Sequence, residues 1–318
     1  MNYLEQNNKD IFKKFTDSEL KKDLKNFYGK GRLYKFLNHY FEEEMFKCKG
    51  GRGSLSPMEA LQDNEVVNKI IEFTNSKPKF YVGKEVANVK SFFRNAGRIA
   101  QKVANFPVRQ ALEIYGKYTS EGDVIFDPSC GFGSRMSASI LSGRHYAGTD
   151  PNLSLTLKLN EAGQYLKTFM LPKDIHFKIY EHGSEVFIPE LENKVNFCFT
   201  SPPYFDLEVY GSDKGQSIEK FSDYYDWVDC FVKPTVNNCI KYTRSGGHIA
   251  INIKNMTSGK KYPLFDDFFR ELDSNKCLEF IEILDIKQSS KRDYKGKHFT
   301  GVVTDYGVKE PVMVFKKK

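Results

Sequence analysis

The sequence predicts an α/β protein, a mostly parallel sheet with helices between its strands, preceded by a helical segment. Three features carry that prediction. From Phe106–Pro107 onward, strand-like and helix-like stretches alternate to the end of the chain, the pattern of a sheet built from crossover units. Before that point, apolar residues recur at three- and four-residue spacing, as on the buried face of a helix. Finally, an apolar strand runs straight into the turn Gly131-Phe-Gly133, where a ligand can approach the backbone.

The elements follow in order. Residues 1–50 read as helical, with Ile11, Phe12, Phe15, Leu20, Leu24 and Phe27 on one stripe and Leu33, Phe36, Leu37, Tyr40 and Phe41 on the next. Lys49–Pro57 (KGGRGSLSP) is a glycine-rich break. Helices are expected over Met58–Phe73 and Ser91–Ala104, so that residues 1–104 form a helical, basic domain. Residues 105–318 form the second domain. Its expected order is helix Val108–Tyr118, strand Val124–Phe126, helix Gly133–Leu141, strand His145–Thr149, helix Leu153–Phe169, and strands His176–Tyr180 and Val195–Phe199. Helix Phe221–Tyr242, strand His248–Ile253, helix Leu264–Leu272, and strands Leu278–Ile286 and Pro311–Phe315 complete it.

Composition narrows the class of function. The chain has 318 residues, 40% of them hydrophobic and 28% charged, enough for a full core in a folded domain. No apolar run approaches the roughly 18 residues that a membrane helix needs, and the N-terminal MNYLEQNNKDIFKKF has no secretory apolar region. The six cysteines, at 48, 130, 198, 230, 239 and 277, form no CxxC pair, and the six histidines show no ligand spacing. Reduced cysteines, a cytoplasmic location and no metal site are therefore expected. The net charge is +7 and is uneven: residues 1–100 hold 19 Lys and Arg against 13 Asp and Glu, an excess of +6. A basic segment ahead of a near-neutral one points to an anionic partner.

Two motifs carry chemistry. Asp127-Pro-Ser-Cys-Gly-Phe-Gly133 lies between a strand and a helix, whose N-terminus offers free N–H groups. The next strand ends at Asp150, 23 residues on, where an acidic side chain can hold a ribose diol. The GxGxxG dinucleotide fingerprint is not met, because Met136 stands at the third glycine position. The spacing fits an adenosyl ligand better. The second motif, Thr200-Ser-Pro-Pro-Tyr204, follows the apolar run VNFCF. Consecutive prolines fix a rigid turn, so the Pro202 carbonyl and the Ser201 hydroxyl form a pair of acceptors suited to the two N–H donors of an exocyclic amine. Tyr204 offers a flat face to a ring.

Together, DPSCGFG and TSPPY resemble the S-adenosylmethionine-dependent DNA amino-methyltransferases, and the leading serine resembles the N4-cytosine branch. The resemblance covers about Asn105 to Phe315. It implies a Rossmann-like seven-stranded methyltransferase sheet with S-adenosylmethionine as cofactor. Asp127, Gly131 and Gly133 would cradle the methionine portion, with Phe106 and Pro128 beside them. Asp150 would hold the ribose and Ser184 would sit near the adenine. Ser201, Pro202, Pro203 and Tyr204 would form the catalytic turn, with Tyr204 stacked on a base flipped out of duplex DNA.

The pattern also departs from the family. Ser129 stands where an aromatic residue is usual, the glycine motif precedes TSPPY, and no separate target-recognition domain is evident. Recognition is expected from the N-terminal helices, with Arg94 and Arg98 on one helix face, and from the basic loop carrying Lys291, Arg292 and Lys295. No Pro-Cys dipeptide occurs, which excludes the C5-cytosine class. Two alternatives stay open on sequence alone: N6-adenine in DNA or an amine in RNA, and a nucleic-acid-binding protein that has lost turnover.

Overall fold

The computed structural model describes residues 32–51, 53–76, 86–170, 174–210, 215–256, 262–285, 296–297, 303–304 and 311–318. Its centre is a seven-stranded sheet with strands β1 (Val124–Asp127), β2 (His145–Thr149), β3 (Phe177–Tyr180), β4 (Val195–Thr200), β5 (Thr243–Asn252), β6 (Leu278–Asp285) and β7 (Pro311–Lys317). Their spatial order is β3-β2-β1-β4-β5-β7-β6. The first five are parallel, and β7 lies antiparallel between β5 and β6. The predicted α/β class therefore holds, with the Rossmann-like sheet expected.

Both sheet faces are covered at the centre, which is why β1, β4 and the first five residues of β7 read as apolar runs, while the edge strands β3 and β6 are partly exposed. Side chains alternate between two cores. Ile125, Phe197, Phe199, Ala250, Val312 and Val314 enter one cluster, while Phe126, Cys198, Ile249, Ile251, Met313 and Phe315 enter the other. Strand β4 is buried along its whole length. The first core is closed by helices α6 (Val108–Tyr118), α7 (Ser134–Leu141) and α8 (Leu153–Lys167).

Helix α1 (Arg32–Tyr40) enters this same core. Phe36 lies 5.7 Å from the Tyr165 ring and Phe41 lies 6.3 Å from Phe132. Phe36, Leu37 and Phe41 are fully buried, each worth about 1.5–3 kcal/mol in area removed from water. The following helix, α2 (Glu42–Lys47), ends at the glycine break.

Several elements differ from expectation for local reasons. The predicted helix Met58–Phe73 is two pieces, α3 (Pro57–Ala60) and α4 (Asn64–Asn75). The first closes at Leu61, and Asp63 caps the second by accepting from the backbone N–H groups of Glu65 and Val66. Helix α5 spans Val86–Ile99 and stops before the predicted Ala104, because Gln101 turns left-handed at φ +51°.

The predicted helix Phe221–Tyr242 is likewise interrupted. After α9 (Ser217–Lys220) come α10 (Tyr224–Trp227), a π-helical turn at Val228–Val232 and α11 (Lys233–Tyr242). Pro234 has no N–H to continue the ladder, and the chain widens just before it. Strand β5 begins five residues before His248, its first pairings shifted around Gly246, whose φ is +79°. Helix α12 (Leu264–Asp273) leads into β6 close to the predicted boundaries. The basic loop with Lys291, Arg292 and Lys295 lies outside the described residues.

Candidate active site

The order of the sheet reverses between β1 and β4. Ile125 pairs with Phe197 and Phe126 with Cys198, so both chemical motifs leave the carboxyl ends of neighbouring parallel strands at the switch point. That is where open α/β sheets bind ligands. A cleft of about 2110 Å³ opens there, lined among others by Pro128, Gly131, Asp150, Ser184 and the whole run Ser201–Tyr204. Phe106 also faces it.

Asp127 has a different position from the one its motif suggested. Its carboxylate is fully buried and not on the cleft wall. It accepts from Arg135 Nε at 2.8 Å and Nη2 at 3.1 Å, from the Tyr146 hydroxyl at 2.8 Å and from the Ser129 N–H at 3.2 Å. Arg135 also donates to the Ser129 carbonyl, and its guanidinium lies 5.4 Å over the Phe106 ring. The Asp127 field keeps Arg135 charged against the cost of burial. Asp127 therefore shapes the loop from behind.

The two glycines divide the work. At Gly131, φ is +53° and a Cβ would meet only the Ser129 carbonyl, at 4.0 Å, so the space above it is open cleft. At Gly133, φ is +72° and a Cβ would press on Leu159 at 3.1 Å and Phe41 at 3.4 Å, on the core side. Two further ties hold the loop. Asn105 Nδ2 donates to the Phe132 carbonyl at 3.1 Å, and Thr149 Oγ1 donates to the Pro128 carbonyl at 2.8 Å.

Asp150 stands at the end of β2, where it accepts from the Asn152 N–H at 3.0 Å. The cap of α8 is Asn152, not Asp150. Ser184 is buried, with its hydroxyl 2.7 Å from Thr235 Oγ1 and its carbonyl accepting from Asn238.

Two further residues on the cleft wall were not picked out by the sequence. Ser134, at the first turn of α7, is 1% exposed and its hydroxyl has no partner. Glu185 gives one carboxylate oxygen to Lys220 Nζ at 2.8 Å, while the other is buried without a partner. Buried polar atoms are normally satisfied, so these two point to a polar ligand. Their only sequence signal is adjacency to Gly133 and Ser184.

The second motif is held by aromatic rings. Phe205, at φ +51°, is a bulky residue in the left-handed region, a costly conformation that needs support. Its ring lies 5.3 Å from Tyr224, 5.5 Å from Trp227 and 5.0 Å from Tyr262. Trp227 Nε1 in turn donates to Ser217 Oγ at 2.9 Å, and the Tyr204 carbonyl accepts from the Leu207 N–H at 3.0 Å.

Beyond Tyr204, Val209 forms an antiparallel bridge with Lys49, at 2.8 and 3.2 Å. The N-terminal segment thereby supplies one wall of the cleft, including Cys48 and Lys49. Burial and the nearby carboxylates of Glu208, Glu44 and Asp150 push the Cys48 thiol up to about 12, and burial also raises Cys130. Neither is a ready thiolate. All six cysteines are unpaired thiols.

Arg94 and Arg98 do not enter this cleft and face an adjoining groove. Among the described residues no cluster of His, Cys, Asp and Glu could hold a metal ion, and no helix is long and apolar enough to cross a membrane.

No family model and no curated protein matches the chain. Solved structures similar to it include a TehB-like SAM-dependent methyltransferase from Corynebacterium glutamicum. It is 14% identical, with 74% of this chain and 100% of that one covered and a TM-score of 0.42. Another is an rRNA methylase from Streptococcus thermophilus, 8% identical over 68% and 98% of the two chains, with a TM-score of 0.41. A third is TehB from Haemophilus influenzae, 15% identical over 70% and 65%, with a TM-score of 0.39.

Proposed function

We propose that this chain transfers a methyl group from S-adenosylmethionine to an exocyclic amine of a DNA base, N4 of cytosine first. The observation that carries the reading is the shared cleft. The glycine loop after β1 and the Ser201–Tyr204 turn after β4 leave neighbouring strands and face one space.

The residues present fit the cofactor. The open face of Gly131 and the orphaned Ser134 hydroxyl, at the N-terminus of α7, suit the methionine end. Asp150 suits the ribose hydroxyls, and the unpartnered Glu185 oxygen beside Ser184 suits the adenine amine. Bound there, the sulfonium supplies an electrophilic methyl group.

The chain itself positions the acceptor. Neither Pro202 nor Pro203 has an N–H, so the turn is rich in acceptors where an amine must dock. Ser201 Oγ and the Pro202 carbonyl would accept hydrogen bonds from the two amine N–H groups, which turns the nitrogen lone pair toward the methyl group for in-line attack. S-adenosylhomocysteine is the leaving group, and the one surplus proton passes to solvent. Tyr204 stacks on the base. The work is positioning and electrostatics, and the buried, protonated thiols of Cys48 and Cys130 fit a route without a covalent enzyme intermediate.

The basic residues 1–104 and the loop with Lys291, Arg292 and Lys295 supply backbone contacts in this reading. The test uses S-adenosylmethionine tritiated at the methyl group, incubated with duplex DNA, single-stranded DNA and RNA. Label is expected in DNA, with N4-methylcytosine as the product after nucleoside digestion. Methyladenine would move the target base, label in RNA alone would move the substrate, and no label in any arm would sink the enzyme.

A further inference from the structure

We propose that the groove between α1 and α5 is a phosphate track, along which the sugar-phosphate strand of the DNA substrate leaves the catalytic cleft. The groove holds about 430 Å³ and is continuous with the cleft, since Tyr34, Asn38, Lys102 and Asn105 line both. Its charged lining is Arg94, Arg98 and Lys102, together with one carboxylate, Glu42, and His39 beside it.

Lys102 is the informative residue. Its backbone N–H donates to the Gly97 carbonyl at 2.7 Å, closing the end of α5, with Gln101 left-handed before it. A Cβ on Gly50 would lie 1.7 Å from the Gln101 carbonyl, so the glycine break is pressed onto this turn. The Lys102 stem packs over Gly97, and its ammonium sits 5.5 Å from the Phe46 ring centre.

Backbone and stem are therefore fixed, and the charged end rests on the face of the Phe46 ring. No carboxylate lies within ion-pair distance of it among the described residues. Burial lowers its proton affinity, opposed only by the field of Glu42. A half-buried ammonium held by a ring face, with no carboxylate against it among the described residues, is suited to an anion.

The second observation is independent. Asn38 lines both cavities, and its side-chain oxygen is buried with no donor. A nucleotide answers both needs, with phosphate oxygens for Lys102 and Arg98 and an N–H on a base edge for Asn38. The proposal rests on the nucleic-acid reading above. It adds the path of the strand and a contact, Lys102, which lies apart from the catalytic turn.

The experiment measures binding, not turnover. Fluorescence anisotropy of a labelled 30-base-pair DNA duplex is followed from low to moderate salt, with S-adenosylhomocysteine present. Lys102→Met keeps the packed stem and removes the charge. Its affinity is expected to fall about tenfold and its salt slope by about one, as for one lost phosphate contact. Lys102→Arg should recover most of both. Affinity for S-adenosylhomocysteine, read by calorimetry, reports folding. Should Lys102→Met fail that control, Arg98→Gln, at an exposed position, asks the same question of the groove.

Unchanged affinity and slope in a folded variant overturn the track. So does a wild-type chain that binds no DNA. Methyl transfer to DNA with a slope indifferent to Lys102 and Arg98 would defeat the track and leave the enzyme reading intact. A slope dependent on both residues without methyl transfer would do the reverse.

Discussion

The two loops at the switch point are held by opposite chemistry. The loop after β1 is fixed by polar side chains: a buried carboxylate with three side-chain or backbone donor groups, and an amide reaching across from Asn105. The turn after β4 has few such ties and is fixed by rings, with Phe205 wedged among Tyr224, Trp227 and Tyr262. The difference follows from what each must do. A loop that binds a charged, polar cofactor can aim its backbone groups if its own anchors are directional hydrogen bonds. A turn that receives a flat base must keep its acceptors unspent, so its anchor is apolar and lies behind it. Polar clamps fix angle, and aromatic clamps fix depth.

The polar clamp should break hardest. Arg135→Met leaves Asp127 charged and buried without its main partner, a loss of about 3–5 kcal/mol. Thermal unfolding should show a larger drop than for Phe205→Ala, Asn105→Ala or Tyr204→Ala, and affinity for S-adenosylhomocysteine should fall with it. A drop no larger than that of a surface substitution would mean that the carboxylate is hydrated in solution and the clamp is not what orders the loop.

The aromatic clamp should come second. Phe205→Ala removes a buried ring, at about 3–5 kcal/mol. Part returns, because a smaller side chain bears the left-handed conformation with less crowding, a strain of about 1–3 kcal/mol. The expected net loss of stability is about 2 kcal/mol, the difference between the middles of those two ranges. The decisive contrast is functional: methyl transfer should suffer and cofactor affinity should hold. Loss of cofactor affinity in Phe205→Ala, at intact fold by circular dichroism, would show the two loops to be one mechanical unit.

Asn105→Ala probes the lesser tie. The Phe132 carbonyl, buried at the glycine loop, would lose its donor at a cost of about 1–3 kcal/mol. Calorimetry should show weaker cofactor binding, with a smaller shift in melting temperature than for Arg135→Met. An unaltered cofactor affinity would confine Asn105 to packing under Tyr34.

The contrast also explains what could be read in advance. Strands β1 to β4 were legible to within a residue or two; in β1 and β4 burial on both faces leaves apolar runs bounded by turns, and β2 and β3 follow from the alternation with helices. Both motifs were legible because rigid or permissive residues, prolines and glycines, must stand at those points. The clamps were not. Arg135 looks like any helical arginine, and only the fold brings it to a carboxylate eight residues back and a tyrosine on the next strand. Phe205 carries no mark of its left-handed backbone, since a bulky residue is the last choice there. The role of α1 was hidden for a related reason: periodicity predicts a buried face but not its partner, and the partner is the helix layer of the sheet. The orphaned Ser134 and Glu185 atoms are visible only once every neighbour is in place.

The smallest effect on stability should accompany the largest on chemistry. Tyr204 is only half-buried, on the cleft side of the aromatic cluster, so Tyr204→Ala should cost about 1 kcal/mol. Its backbone position is set by its neighbours: Pro203 before it, Phe205 behind it, and the Leu207 N–H on its carbonyl. The turn should therefore survive without the ring. What is lost is the stacking surface, about 1–3 kcal/mol for a single base, and with it the alignment of the amine. Single-turnover transfer should fall steeply, while the melting temperature and affinity for S-adenosylhomocysteine stay near wild type. A variant that melts early would place Tyr204 in the clamp. One that transfers at the wild-type rate would leave Ser201 and Pro202 to position the amine without a stacked base.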